Sequence, residues 1–283
     1  MQPPAPFLAA PPIMVLASNR PLELAELLAS LLRQEGAAIE RRKIFLFQDG
    51  GLDASGARHW SDAVLLENVD IFRRLVPDGI PLPSYLHLGP VLTRDRAERF
   101  AFDDLQAEAA VLLGDDMIPG RCYLRTLDRM LALASADPRI AQVSADGDPR
   151  ASLADQRAHS SRLIPLGRAP GRGLLRRDWL RQRRYMDAYL RCARDPAAIR
   201  ALFQGWGVDA ADTSYEAALG HACALTGTIR LGSYACFGRR LSAPDAPAFD
   251  GGDSFAGPDW VEEDVCRPVP PGEHELASLM PLR

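Results

Sequence analysis

The sequence predicts an α/β fold in which a mostly parallel sheet is followed by a mainly helical region. Three apolar runs, at residues 13–18, 44–47 and 109–113, have the length and composition of strands that are buried on both faces. Stretches with apolar residues at helical spacing separate these runs. Because parallel strands are joined by helical crossovers, this alternation indicates consecutive βαβ units.

The first βαβ unit extends from the first apolar run to the second. The run IMVLAS at residues 13–18 predicts a strand, and Asn19 and Pro21 suit the cap and first turn of a helix. Leucines then recur at helical spacing, before the run IFLF at residues 44–47 predicts the second strand. A polar, glycine-rich turn ends this strand.

The rest of the first half is predicted to alternate between helices and strands. Helices are expected at residues 57–66, 91–107 and 119–136, and strands at residues 69–72, 109–113 and 140–144. A proline-rich loop precedes the charged second helix, and Pro119 suits the first turn of the third.

Beyond residue 150 the apolar runs weaken and helical segments dominate. Helices are expected at residues 175–193, 195–204 and 213–226, with a strand at 229–237. The predicted organisation is an α/β domain at 1–150, a loop or lid at 151–173, a mainly helical region at 174–241 and an irregular tail at 242–283.

Composition and charge exclude several classes of protein. The 283 residues include 33 basic and 37 acidic side chains. The resulting net charge of −4 argues against nonspecific electrostatic binding of nucleic acid by the whole protein. None of the five cysteines forms a CxxC pair, which excludes a zinc ribbon. The N-terminus lacks the pattern of a signal peptide, and no apolar run approaches about 20 residues, so we expect a soluble, cytoplasmic protein.

Polar residues follow three of the predicted strands and form a candidate ligand site. Ligands of open α/β sheets bind at the carboxyl ends of the strands, where this chain has SNR (18–20), QDG (48–50) and GDD (114–116). Two aspartates after a buried strand suit Mg²⁺ or Mn²⁺, which prefer carboxylate, water and phosphate oxygens. Alternatively, Asp115 is an ordinary loop acid and Asp116 caps the helix that Pro119 opens.

The order of these pieces resembles the nucleotide-sugar glycosyltransferases of the A-type fold. The resemblance is strongest to the N-acetylglucosaminyltransferases that initiate hybrid and complex N-glycans, and to their small bacterial relatives. It is carried by IMVLASNRP (13–21), IFLFQDGG (44–51), AAVLLGDDMIPGRCYLRTLDRML (109–131) and DPRIAQVSADGD (137–148). The order of the four motifs is more specific than any one of them, and together they cover about half of the chain.

The resemblance implies a role for each matching residue. It implies donor contacts at Ser18, Arg20, Gln48, Asp49 and Asp115. Arg20 and Asp49 match the positions that hold the nucleotide base, and Asp116 matches the carboxylate that contacts Mn²⁺ or Mg²⁺ on the diphosphate. UDP is the default nucleotide in this family. The family usually has Glu where this chain has Gly114, and that departure puts activity or donor identity in question.

Glu216 is the candidate catalytic base. The segment TSYEAALGHACALTGTIRL (213–231) resembles the carboxyl half of the bacterial relatives, in which a carboxylate begins the equivalent helix. An inverting transferase needs one carboxylate to take a proton from the acceptor hydroxyl. We expect burial beside Trp206 or Tyr215 to raise the pKa of Glu216. Alternatively, Glu216 is an acid in the first turn that the helix dipole favours.

A run of arginines between residues 172 and 184 forms a basic stripe. Its members are Arg172, Arg176, Arg177, Arg181, Arg183 and Arg184. The simpler interpretation is the solvated face of an amphipathic helix. The other is a patch for phosphate, either on an acidic acceptor or on an anionic membrane surface.

The function predicted from the sequence is metal-assisted, inverting transfer of a sugar from a nucleotide diphosphate-sugar to an acceptor hydroxyl. The sequence names neither the donor sugar nor the acceptor. A catalytically silent nucleotide-binding protein on the same fold is one alternative, suggested by Gly114 and Tyr215. A nucleotidyltransferase is another, although residues 16–20 lack the glycine- and lysine-rich phosphate loop that such enzymes carry.

Overall fold

An eight-stranded mixed sheet forms the centre of the computed structural model, which describes residues 10–167, 169–209, 211–241, 260–269 and 272. Within these residues the strands are β1 (Ile13–Ala17), β2 (Ile44–Gln48), β3 (Ile80–Pro81), β4 (Ala109–Gly114), β5 (Met117–Pro119), β6 (Ile140–Ser144), β7 (Leu163–Pro165), β8 (Gly171–Leu175), β9 (Ile229–Ser233) and β10 (Gly238–Arg240). The helices are α1 (Pro21–Leu31), α2 (Asp62–Leu75), α3 (Gly89–Arg99), α4 (Tyr123–Ala136), α5 (Leu153–Ala158), α6 (Arg176–Cys192), α7 (Pro196–Gly205) and α8 (Tyr215–Leu225). The α/β fold class predicted from the apolar runs is confirmed.

The strand order places a topological switch between β1 and β4. The sheet runs β3-β2-β1-β4-β8-β6-β9-β7, with the first four strands parallel. The chain leaves β1 toward β2 and β3 on one side, and β4 then pairs on the other side. In open α/β sheets the crevice at such a switch, outside the carboxyl ends of the strands, is where ligands bind.

Both faces of the sheet are covered, as the continuous apolar runs predict. In β1, Ile13 and Val15 face α1 and α4, while Met14 faces the layer that contains α3 and Trp179. The side chains of Ile13, Met14 and Val15 are fully buried. Burying side chains of this size contributes about 1.5–3 kcal/mol each, so β1 is among the most firmly held strands.

A separate core lies among the helices of the second half. Helices α6, α7 and α8 enclose Tyr189, Phe203, Tyr215 and Leu219. Phe203 is completely buried and its ring lies 5.3 Å from that of Trp206. This packing fixes the start of α8 relative to the sheet.

Several local predictions from the sequence are wrong. The strand expected at 69–72 lies inside α2, because Val69 and Phe72 are buried with helical spacing. The helix expected from Pro119 begins at Tyr123 instead, since Pro119 belongs to β5 and pairs with β10. The helix at 91–107 starts at Gly89 and ends in a π-helical turn, Phe100–Asp104.

The segment 151–173, expected to be a loop or lid, contains regular structure. It includes α5, β7 and the first residues of β8. Strand β8 lies in the middle of the sheet, antiparallel to both β4 and β6. The sequence GRGLL does not indicate a central strand, because two glycines and an arginine interrupt the apolar pattern that is typical of a buried strand. The division into a domain at 1–150 and later segments stays a prediction, and 242–259 lie outside the described residues.

Candidate functional site

A cavity of about 690 Å³ opens at the carboxyl ends of β1, β2 and β4. Of the seven residues that the sequence singled out, six line this cavity: Ser18, Arg20, Asp49, Asp115, Asp116 and Glu216. Gln48 does not. The cavity therefore unites residues from four separate segments of the chain. Their individual roles stay predictions.

Asp115 joins the end of β4 to the end of β1. Its Oδ2 accepts hydrogen bonds from the backbone N and the Oγ of Ser18, at 2.7 and 3.0 Å. Arg20 Nη1 lies 3.8 Å from the other carboxylate oxygen. Burial raises the pKa of Asp115 to about 6, although the Ser18 hydrogen bonds and the Arg20 charge oppose that rise. Asp115 is thus a buried, anchored carboxyl group rather than a free loop acid.

Asp116 is held by Arg240 of β10 and by Leu241, which follows that strand. Both Nε and Nη2 of Arg240 lie 2.9 Å from Asp116 Oδ2. The Asp116 carbonyl also accepts a hydrogen bond from Leu241 N at 2.7 Å. Asp116 caps no helix, because α4 begins seven residues later and has Cys122 at its N-cap. That alternative from the sequence is wrong.

The Asp116 carboxylate lies in the space that a side chain at position 114 would occupy. A Cβ atom at position 114 would lie 2.7 Å from Asp116 Oδ1, closer than such atoms approach in proteins. A side chain here would therefore push the Asp116 carboxylate out of its present position.

The Asp49 carboxylate holds the loop before α3. It accepts hydrogen bonds from the backbone N–H groups of Gly50 (2.9 Å), Leu88 (2.6 Å) and Gly89 (3.1 Å). His87 Nδ1 lies 2.8 Å from Asp49 Oδ2. These contacts occupy most of the acceptor capacity of a carboxylate. The structure thus gives Asp49 a positioning role that the sequence analysis did not foresee.

Gln48 lies behind the cavity wall. Its amide donates to the carbonyl oxygens of Ser18 (2.6 Å) and Asp49 (2.9 Å). Asn68 donates in turn to Gln48 Oε1 at 2.8 Å. Gln48 is 1% exposed, and its hydrogen bonds connect the ends of β1 and β2. The prediction that Gln48 contacts the donor stays a prediction.

Replacing Asp49 is expected to cost stability as well as ligand affinity. Asp49→Ala strands the backbone N–H groups of Leu88 and Gly89, whereas Gly50 N keeps its hydrogen bond to Leu86 O. Each unsatisfied buried donor costs about 1–3 kcal/mol. We expect Asp49→Ala to lower the free energy of unfolding by roughly 2–4 kcal/mol in denaturant titrations. Asp49→Asn keeps an acceptor oxygen and serves as the matched control. Equal stability of Asp49→Ala and the parent would contradict the positioning role.

Two ring systems line the cavity near Asp49. Trp60 and His87 both contribute to its wall, with their rings 6.0 Å apart and nearly perpendicular. His59 stacks on the outer side of His87, at 4.3 Å between centroids. Sequence reasoning missed Trp60, because it lies in an irregular segment between β2 and α2 with no periodic or motif signal.

Glu216 lies at the start of α8, where three arginines surround its carboxylate. Oε1 accepts from Arg94 Nη1 at 3.0 Å and Arg172 Nη2 at 2.6 Å, and Oε2 accepts from Arg230 Nη2 at 2.5 Å. Burial acts to raise the pKa of Glu216, but the charges of the three arginines outweigh it and lower the pKa to about 2. The expected raised pKa is therefore wrong: the three arginines determine the charge state of Glu216.

The basic stripe of residues 172–184 is largely paired within the protein. Arg172 is 1% exposed and belongs to the Glu216 group. Arg177 and Arg181 pair with Asp178, and Arg183 pairs with Asp103. The solvated-face interpretation fits these contacts, and contact with an anionic membrane surface stays a prediction. Among the described residues, no helix combines the length and apolar character needed to cross a bilayer.

The chain matches no protein-family model and no curated protein. Among solved structures, it is similar to the mannosyltransferase PcManGT from Pyrobaculum calidifontis in complex with GDP-Man and Mn²⁺. The identity is 16%, the TM-score is 0.46, and the match covers 84% of this chain and 58% of that one. It is also similar to S. aureus TarS in complex with UDP-GlcNAc, with 12% identity, a TM-score of 0.46 and coverage of 83% and 59%. The chain thus spans less than two thirds of either protein, and a likeness of this size assigns no function.

Proposed function

We propose that the chain is a glycosyltransferase that moves a sugar from a nucleotide diphosphate-sugar to an acceptor hydroxyl, with metal assistance and inversion. One observation carries the proposal: six residues chosen from motifs far apart in the sequence line a single cavity at the topological switch of the sheet. The cavity volume of about 690 Å³ lies within the range of small-molecule sites.

The donor end of the cavity is proposed to lie between β1, β2 and β4. Asp115 would accept a hydrogen bond from a hydroxyl group of the nucleotide-sugar, and Arg20 lies beside it. The rings of Trp60 and His87 offer apolar faces for a nucleobase. Asp49, which fixes the loop that carries His87, would act on the base chiefly through that loop.

Asp116 is the proposed contact for the divalent ion. Among the described residues, no three His, Cys, Asp or Glu side chains form a ready-made metal site. Mg²⁺ in nucleotide sites is commonly held by one or two carboxylates together with substrate phosphates and water, and a single Asp116 fits that pattern. The Arg240 side chain is half exposed, so its ion pair with Asp116 is easily exchanged. When bound, the ion would neutralise charge on the leaving diphosphate.

Glu216 is the proposed base for the acceptor hydroxyl, because it is the carboxylate that α8 presents to the cavity. With three arginines around it, Glu216 is a weak base in this arrangement. That observation also favours the second candidate, a silent nucleotide-binding protein on the same fold.

Nucleotide binding is the first test of the proposal. UDP, GDP and ADP with Mn²⁺ should each be assayed for thermal stabilisation, and at least one diphosphate should stabilise the protein where its nucleoside does not. The corresponding nucleotide-sugars should then be screened for slow hydrolysis. Binding without hydrolysis or transfer would favour the silent protein, and absence of any nucleotide binding would overturn both candidates.

Nucleotide affinity should fall as the pH is lowered through about 6. The pKa of Asp115 is raised to about 6, so the group is a carboxylate at pH 7.5 and mostly protonated at pH 5. Protonation removes an acceptor for the donor hydroxyl, and the loss of a charge-assisted hydrogen bond corresponds to about tenfold or more in affinity. Calorimetric titrations of the stabilising nucleotide between pH 5 and 8 measure this. Asp115→Asn should bind more weakly at pH 8 and lose this pH dependence; an unchanged profile would contradict the role.

A further inference from the structure

Three guanidinium groups from different elements converge on one carboxylate in the cavity wall. Arg94 comes from α3, Arg172 from β8 and Arg230 from β9, and all three contact Glu216 at the start of α8. We call these three residues the arginine cluster. Their side chains are 19%, 1% and 7% exposed.

The arginine cluster carries more positive charge than the one carboxylate that it contacts. Three arginines and Glu216 sum to +2. Glu98 is the next acid, and its Oε1 accepts from Tyr215 Oη at 3.4 Å. Burial raises the pKa of Glu98 to about 7, against the charges of Arg94 and Arg172, and raises the pKa of Asp146, which also interacts with Arg172, to about 6. Neither acid is ion-paired to the arginine cluster, so one carboxylate serves three guanidinium groups in direct contact. Uncompensated buried charge is costly, and a further anion would relieve it.

The arginine cluster also has hydrogen-bond donors without partners. Arg94 Nε, Arg172 Nη1 and Arg230 Nε are buried and make no hydrogen bond with the described residues. Buried polar groups are nearly always paired in proteins, so three unpaired donors on three adjacent arginines indicate a missing acceptor. Carboxylate and phosphate oxygens are the acceptors that guanidinium groups bind best.

The position of the arginine cluster indicates the source of that anion. Arg94 and Glu216 line the same cavity as Asp115 and Asp116. In the proposed function, the donor diphosphate would be held by the ion at Asp116, beside Arg240. The cluster lies instead around the proposed base, where an acceptor must place its hydroxyl.

We propose that the arginine cluster binds an oxyanion group, phosphate or carboxylate, that is carried by the acceptor. This inference rests on the proposed function and names the substrate class of the same site. An acceptor anion shares the guanidinium groups with Glu216 and weakens their hold on its carboxylate. Glu216 therefore gains basicity only when the acceptor is in place, which reconciles the low pKa that the three arginines impose with a role as base.

Calorimetry on the full chain tests this inference. The protein is saturated with Mn²⁺ and the nucleotide that stabilises it, and is then titrated with glycerol 3-phosphate, with glucuronate, and with neutral glycerol and glucose. We expect one of the two anions to bind and the neutral compounds not to. The anion that binds identifies phosphate or carboxylate as the group on the acceptor.

Variants of Arg94 and Glu216 test whether the anion binds at the arginine cluster. Arg94→Gln should weaken its binding about tenfold or more, and Arg94→Lys should recover part of the loss. The matched control is Arg191→Gln, which removes one positive charge from an exposed position on α6 and should leave anion affinity unchanged. Glu216→Gln should shift affinity the opposite way, toward tighter binding, because it removes the carboxylate that competes for the guanidinium groups.

Each outcome separates this inference from the proposed function. If the nucleotide binds but neither anion does, or if Arg94→Gln and Glu216→Gln bind the anion like the parent, the inference is wrong and the proposed function stands. If the anion binds only without nucleotide, the arginine cluster belongs to the donor diphosphate and the acceptor assignment is overturned. If the anion binds but no nucleotide does, the proposed function fails and the acceptor assignment fails with it.

Discussion

Glu216→Gln is expected to lower the rate of sugar transfer by about 10²–10⁴-fold while nucleotide affinity is retained. The substitution keeps the shape of the side chain and removes the group proposed to take the acceptor proton. Initial rates of transfer measure the first effect, and calorimetric titration of the nucleotide measures the second. Retention of most of the transfer rate would exclude Glu216 as the base and would direct the search to the other acids of the cavity.

Stability must be controlled in that experiment, because the Glu216 carboxylate also balances the arginine cluster. Removing one partner of a buried ionic group typically costs about 3–5 kcal/mol. Rates are therefore compared well below the unfolding temperature of the variant, with Glu216→Asp as the control that keeps the charge. The pKa of Glu216 is lowered from 4.5 to about 2, so its contribution, roughly 3 kcal/mol, is present above pH 4.5 and is lost as the pH falls toward 2. Glu216→Gln should lose this part of the acid-unfolding profile.

Asp116→Ala is expected to abolish metal-dependent nucleotide binding while the ligand-free protein stays nearly as stable as the parent. A nucleotide at 100 times its dissociation constant stabilises a protein by about 2.7 kcal/mol, and the Mn²⁺-dependent part of that gain should disappear. Thermal unfolding with nucleotide, with and without Mn²⁺ and with a chelator, measures it. A variant that responds to nucleotide plus Mn²⁺ like the parent would exclude Asp116 as the metal contact.

Arg240→Gln is the matched control for Asp116→Ala. It breaks the same ion pair from the other side and leaves the Asp116 carboxylate without its competing cation. If Asp116 holds the ion, Mn²⁺ dependence should survive in Arg240→Gln and be lost in Asp116→Ala. Equal loss in both variants would mean that the ion pair, and not the carboxylate, matters.

The residues at the carboxyl ends of β1, β2 and β4 are the part of the site that could be predicted from the sequence. The runs at residues 13–17, 44–47 and 109–113 are wholly apolar, and polar residues or glycine follow each of them, so each strand and the point where it ends are visible in the sequence. Parallel pairing then brings those ends to one edge of the sheet without any knowledge of side-chain contacts. The site residues at these ends line one cavity for that reason.

The arginine cluster could not be predicted, because its contacts join distant parts of the chain. Arg94 and Glu216 are 122 residues apart, and Arg172 and Glu216 are 44 apart. A pairing over such separations leaves no periodic signal. The sequence around Arg172 also indicated a loop, because the arginine stands between two glycines. Burial of its charge inside the sheet is compensated by an ion pair with a residue far away in the sequence.

The placement of β8 between β4 and β6 constrains the order in which the protein can be made and folded. Strand β6 ends at residue 144, yet both of its neighbours in the sheet, β8 and β9, come from beyond residue 170. On the ribosome, β6 therefore emerges before either neighbour exists, and the sheet cannot close until residue 233 has been synthesised. A nascent chain that stops near residue 150 exposes one edge of β4 and both edges of β6, which are templates for pairing with other chains. The interval between the synthesis of β6 and that of β9 is therefore the stage at which these strand edges are open to pairing with other chains.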